Sequence, residues 1–301
     1  MWLYYVLILI SVMMFGGGFA LQDVFRKKRG SGLMISMEAA FIGSLAGLIV
    51  LLIINSFAFE FTWFTLLMAG WSALNGIAFT VFAFKALDYI NLSLFSLFAM
   101  LGGMALPFLQ GILFYGEGFT LAKGICVIFI CAALALTVER GERKRGTVFY
   151  VGIFVLNGMS GVLSKIFTET PLPKASAADY SIWSALSAAL LSGILWLLLT
   201  ATERRRSSPQ GKEQPKAERK ARLLSYGIGA LNGAINKVAN FLLVFALVYV
   251  DASVQYPMVT GGTMIVSTLF CLFGDKKPSK KEVLSVALAF IGMLALFIIP
   301  I

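Results

Sequence analysis

Apolar residues fill the chain in ten long runs separated by short polar joints: 2–21, 33–54, 63–84, 92–115, 121–138, 148–167, 180–200, 223–250, 252–273 and 283–299. Runs near twenty residues match the hydrocarbon thickness of a bilayer when helical. A helix also satisfies every backbone polar group within the segment. The pattern predicts an all-α integral membrane protein of ten transmembrane helices. The tight joint at Asp251 is the least marked division between runs.

The eighth run, 223–250, departs from the rest. Its middle reads Leu231-Asn232-Gly233-Ala234-Ile235-Asn236-Lys237-Val238-Ala239-Asn240. At about 1.5 Å per residue, Lys237 falls about 20 Å from either end of the run, the centre of a spanning helix. At about 100° per residue, Asn232, Asn236, Asn240, Gly233 and Lys237 share one arc of about 140°. Ala234, Val238, Phe241 and Phe245 form the opposite face. An ammonium at mid-membrane costs about 2.5–3.5 kcal/mol on insertion scales, and such residues face a polar interior or a water-filled path. The competing role for Lys237 is structural, held by neighbouring carbonyls and amides.

The joints fix an orientation. Arg26–Arg29, Lys85, the basic residues between 140 and 145, those between 204 and 222, and Lys276, Lys277, Lys280 and Lys281 all follow odd-numbered runs. The remaining basic residues are Lys123, Lys165, Lys174 and Lys237. The positive-inside rule therefore places the odd joints in the cytoplasm and both termini outside. The first run has its basic cluster after it, the reverse of a cleaved signal peptide, and is read as the first spanning helix. Residues 201–222, rich in Arg, Lys, Glu, Ser, Pro and Gln, read as a disordered basic cytoplasmic loop.

Composition narrows the chemistry. Only 13% of the 301 residues are charged and 59% are hydrophobic, against about 25% charged in soluble domains. The net charge of +10 sits in the joints, so nucleic acid is not an expected partner. Histidine is absent, which removes His-based metal sites and His general bases. Cys126, Cys131 and Cys271 lie in apolar runs without metal-ligand spacing and read as small packing residues. No cofactor and no catalytic residue is expected.

The chain also repeats. Ala73-Leu74-Asn75-Gly76 recurs as Ala230-Leu231-Asn232-Gly233 at an offset of 157; Gly102-Gly103 recurs as Gly261-Gly262 at 159; Gly116-Glu117 recurs as Gly274-Asp275 at 158. Five helices per half give the copies opposite topology, as in many secondary transporters. The expected division is a first five-helix repeat over 1–138, a basic connection over 139–147 and a second repeat over 148–301.

Further candidates follow from the same logic. Asn75 and Asn157 sit in mid-run Leu-Asn-Gly triplets, where an amide needs another helix, water or a solute as partner. Gly43 with Gly47, and Gly229 with Gly233, have small-xxx-small spacing for helix contact. Gly16-Gly17-Gly18 is expected to weaken the first helix, and Pro107 and Pro257 to kink the fourth and ninth. Glu38 is a candidate proton-coupling carboxylate, or an ion-pair partner of Lys85 or of the Arg26–Arg29 cluster. Trp71, one turn before Asn75, and Gln255 and Tyr256, beside Pro257, are candidate solute contacts.

These features resemble the EamA-type members of the drug/metabolite transporter superfamily. The resemblance lies in the two five-helix halves, Ala86-Leu87-Asp88-Tyr89 closing helix three, Pro107 in helix four and Gly116-Glu117 before helix five. It implies a secondary transporter in a prokaryotic plasma (inner) membrane, its cavity lined by helices one to four and six to nine, with five and ten peripheral. Phe15-Gly16 stands where such proteins commonly have Trp-Gly, Asp275 where the second half usually has Glu, and Val266 at the position matching Pro107. The family's termini are usually cytoplasmic, opposite to the charge count here.

The leading expectation is a secondary active transporter of a small polar organic solute, an amino acid or other carboxylate-bearing metabolite. Lys237 would anchor its anionic group, and Asn75, Asn157, Asn232, Asn236 and Asn240 would bind the rest. The partners are that solute and the lipid bilayer, with a proton as candidate coupling ion and a homodimer as candidate assembly. The alternatives are a cationic drug/proton exporter using Glu38, a non-transporting membrane receptor and a membrane-embedded enzyme.

Overall fold

The computed structural model describes residues 2–115, 120–137, 146–206, 216–247, 249–250, 252–274 and 277–298. Among these residues the chain is all helical, with ten helices: α1 (Trp2–Arg29), α2 (Leu33–Ile54), α3 (Trp63–Tyr89), α4 (Leu92–Phe114), α5 (Leu121–Thr137), α6 (Thr147–Glu169), α7 (Ala177–Arg206), α8 (Lys216–Leu247), α9 (Ala252–Leu272) and α10 (Lys280–Ile298). Six of them (α1, α2, α3, α4, α6 and α7) are long and apolar enough to cross a bilayer. Large apolar side chains such as Leu9, Ile49, Leu67 and Leu197 are exposed on the outer surface, as suits a lipid-facing perimeter. Gly116, Glu117, Asp251, Asp275 and the 139–145 joint lie outside the described residues.

Several helices outrun their apolar stretches. Asp23 pairs with Arg26 (2.8 Å) one turn later and with Lys27 (3.1 Å) four residues later, which keeps the charged end of α1 helical. Gly30 then ends it in the left-handed region (φ 95°). The connection expected over 201–222 is correspondingly shorter. Helix α7 runs on to Arg206 and α8 begins at Lys216, because Leu, Glu, Lys, Arg and Ala are good helix formers. The middle of that connection lies outside the described residues.

Capping fixes the helix starts on both sides of the bundle. Ser176 and Asp179 form a reciprocal capping box at α7, with Ser176 N–H donating to Asp179 Oδ2 (3.1 Å) and Asp179 N–H to Ser176 Oγ (3.1 Å). Ser279 and Glu282 do the same at α10. Asn91, the N-cap of α4, donates to Glu282 (2.6 Å) and so ties the starts of α4 and α10 together.

Helix α1 passes through Gly16-Gly17-Gly18, α4 through Pro107 and α9 through Pro257 without interruption of the helix. Gly16 and Gly18 serve close approach. A Cβ on Gly18 would stand 2.6 Å from Asn236 Nδ2, and one on Gly16 would overlap Val266. Pro107 fills the space that Gly161 leaves on α6.

Helix α1 packs on α8 and α9, α2 on α7 and α8, α3 on α6 and α7, α4 on α6 and α9, and α5 on α10. The largest apolar core surrounds α4, where Phe95, Leu97 and Leu101 are fully buried. Cys126 and Cys271 are buried in that core, as packing residues should be, whereas Cys131 is exposed.

Candidate functional site

Helix α8 carries the polar arc, and two glycine pairs decide where it points. A Cβ on Gly233 would overlap the backbone of Gly43, and one on Gly43 would lie 3.3 Å from Gly233 Cα. Helices α2 and α8 therefore cross in backbone contact. One turn on, the Lys237 stem lies over Gly47, where any β-carbon would collide with it. The crossing turns Asn232, Asn236, Lys237 and Asn240 towards the bundle interior.

There they line a cavity of about 410 Å³, within the range of small-molecule sites. Its wall draws on α1 to α4 and α6 to α9. Among the described residues, neither α5 nor α10 contributes. Asn75, Asn157 and Gln255 join the α8 residues on this wall, so seven of the expected solute contacts converge.

The amides are partly committed to the scaffold. Asn75 Nδ2 donates to Leu156 O (2.9 Å) and Asn157 Nδ2 to Ala99 O (2.7 Å), each across a helix interface. Asn236 Nδ2 donates to Asn232 Oδ1 (2.8 Å), and Asn240 Nδ2 to Asn236 O (2.9 Å). Interhelical support and cavity lining are thus two jobs of the same residues. Gln255 donates to Leu243 O (2.8 Å), and its buried Oε1 has no partner among the described residues. Lys237 has neither an ion pair nor a hydrogen bond among them.

Two expected contacts are not on the wall. Trp71 is 58% exposed. The wall face of α3 runs from Asn75 round to Ile77, and four residues of helix carry Trp71 about 40° beyond its Asn75 edge. The Tyr256 side chain lies outside the described residues.

Hydroxyls are the part that the sequence reading passed over. Ser44, Ser72, Thr80, Ser160, Ser164, Ser181, Ser184 and Thr260 line the cavity, as does Gln22. On α6, Asn157, Ser160, Gly161 and Ser164 follow i, i+3, i+4, i+7 spacing, so the polar stripe is legible once hydroxyls are counted.

Glu38 sits outside the cavity, at the basic end of the bundle. It is 4% exposed and accepts from Arg29 (2.6 Å) and from the Tyr226 hydroxyl (2.8 Å). Arg26 bridges to Asp88 (2.8 Å) nearby, and Ser31 donates to the same carboxylate. Just inside this network the Phe25 and Phe84 rings, each 1% exposed, meet at 5.9 Å. Together these contacts close the cavity on the basic side, whereas the lining residues Ser160 and Asn240 are exposed.

This arrangement makes Glu38 a tie between α1, α2 and α8. Glu38→Gln strands the Arg29 guanidinium and should lower stability by about 1–3 kcal/mol, read as a fall in melting temperature of the purified protein. Adding Arg29→Met should recover part of the loss. An unchanged melting temperature with abolished uphill transport would instead return Glu38 to proton coupling.

No protein-family model matches the chain, and no curated protein matches it. In fold it is similar to a solved structure described as "Crystal structure of protein", with a TM-score of 0.59 over 97% of this chain and 96% of the other at 14% identity. At that identity the likeness is one of fold.

Proposed function

We propose that the chain is a secondary active transporter built like the EamA-type members of the drug/metabolite transporter superfamily. Its ten helices would all span, as two inverted five-helix repeats, and carry a small polar carboxylate-bearing solute by alternating access. The basic side faces the cytoplasm of a prokaryotic cell. One observation carries the reading: a cavity of about 410 Å³ in the bundle centre, walled by eight helices, with Lys237 on its wall and no ion pair to it among the described residues.

The packing supports the repeat. Exchanging each helix with the one five further along turns the α1–α8 contact into α6–α3, α2–α8 into α7–α3 and α1–α9 into α6–α4, all of which occur. Single residues follow suit. Gly103 meets Asn157 and Pro107 meets Gly161 between α4 and α6, while Gly262 meets Val12 and Val266 meets Gly16 between α9 and α1. Val266 thus does the packing work of Pro107 in the other half. The pairs are related by offsets of 159 on one helix and 145 on the other.

A cationic-drug exporter would need a carboxylate on the wall, and none of the described lining residues is acidic. The test is transport by purified protein in liposomes, preceded by a thermal-shift screen of amino acids, organic acids, sugar phosphates and quaternary amines. A ligand at a hundred times its dissociation constant should stabilise by about 2.7 kcal/mol. Saturable, protein-dependent flux of an acid supports the reading. Flux of quaternary amines alone, or binding with no counterflow of any ligand, refutes it in favour of an exporter of cations or a receptor.

A further inference from the structure

Lys237 is the one charged side chain among the described lining residues. The carboxylates at the cavity ends already have partners: Asp23 has Arg26 and Lys27, Glu38 has Arg29 and Tyr226, Asp88 has Arg26 and Ser31, and Asp179 has Ser176 and Asn55. Glu38 lies nine residues before Gly47 on α2, about 13 Å along the helix from the point where Lys237 packs. Among the described lining residues no acid stands beside the ammonium.

From this charge balance, and resting on the transporter reading, we infer that the protein is an obligatory exchanger of small organic monoanions. In the open form, water solvates the Lys237 ammonium. Closing the helices over an empty cavity removes that water, so the ammonium is left uncompensated in the middle of the bilayer or must give up its proton to water, and both cost free energy. A bound monoanion cancels the charge. A zwitterion leaves the closed cavity at +1, and a dianion leaves it at −1. Closure is therefore favoured with a monoanion aboard in either direction, and one anion enters as another leaves. Asn75 and Asn157 each spend an amide N–H on a backbone carbonyl, and the ammonium is the one charged donor on the described wall for that anion. Phe15, Phe19 and Phe79 on the same wall suit an apolar body behind the charge. The loaded carrier is electroneutral, so exchange ignores the membrane potential.

The experiment compares labelled pyruvate and phenylpyruvate with alanine and phenylalanine in liposomes holding the purified wild-type protein. Each keto acid differs from its amino acid by a carbonyl in place of the ammonium. Vesicles are preloaded with the same unlabelled solute or left empty. The expected result is keto-acid entry about 100-fold faster into preloaded vesicles, unchanged by an imposed potassium diffusion potential. Entry into empty vesicles at a comparable rate, entry driven by a voltage or pH gradient, or amino-acid exchange as fast as keto-acid exchange overturns the inference and leaves the transporter reading standing. Absence of protein-dependent flux for all four solutes also overturns it, and the wider ligand screen then judges the transporter reading by itself.

Discussion

Lys237→Met should separate binding from folding. Methionine keeps an unbranched stem to lie over Gly47 and deletes a charge that has no ion pair among the described residues. Stability should hold or rise, because a desolvated charge is gone. Affinity for whichever acid stabilises the wild type should fall by about 30-fold to several thousand-fold, corresponding to about 2–5 kcal/mol for losing one partner of a buried charge pair. Lys237→Arg should restore only part of it, since a planar guanidinium cannot occupy the point that an ammonium does, and the stem is pinned at Gly47. If Lys237 were structural, the order would reverse, with a lower melting temperature and normal binding by the protein that remains folded. Melting temperature and affinity measured on one preparation distinguish the two, and unchanged affinity in a well-folded Met variant ends the anion-anchor reading.

Helix number and the α8 arc were legible because both depend on local pattern: run length against bilayer thickness, and polar residues at one angular position. The ion pair at Glu38 was legible as a choice of partners, since Arg29 in the basic cluster lies nine residues away across the α1–α2 joint. Other features depend on which helix meets which, and a single sequence carries that weakly. Gly43 with Gly47 and Gly229 with Gly233 each announce a contact, yet only the folded chain brings the two motifs onto one another. Trp71 shows the limit of counting by turns, because a drift of about 40° over four residues is enough to leave a wall whose edge is Asn75. The glycines of α1 read in sequence only as missing side chains, whereas in the fold the space at Gly16 is taken by Val266 and that at Gly18 by Asn232 and Asn236 from neighbouring helices.

Gly233 and Gly76 occupy matching places in two of the three Leu-Asn-Gly triplets, and they should respond to the same substitution in opposite ways. A methyl on Gly233 collides with Gly43 Cα, C and O, all of them backbone, so no rotamer change relieves it. Helices α2 and α8 must part, at a cost of about 1–3 kcal/mol or more. The shift also carries Lys237 off its seat on Gly47, so Gly233→Ala should lose both melting temperature and solute affinity. A methyl on Gly76 meets nothing within 4 Å and points along the cavity wall. Gly76→Ala should keep or raise stability, up to about 1 kcal/mol from helix propensity, while Gly76→Leu should fill the cavity and weaken binding in a stable protein. Thermal melting of the Gly233→Ala and Gly76→Ala variants side by side decides the point. Equal shifts would mean that α2 and α8 do not cross at Gly43 and Gly233, and the cavity, whose wall that crossing orients, would have to be redrawn.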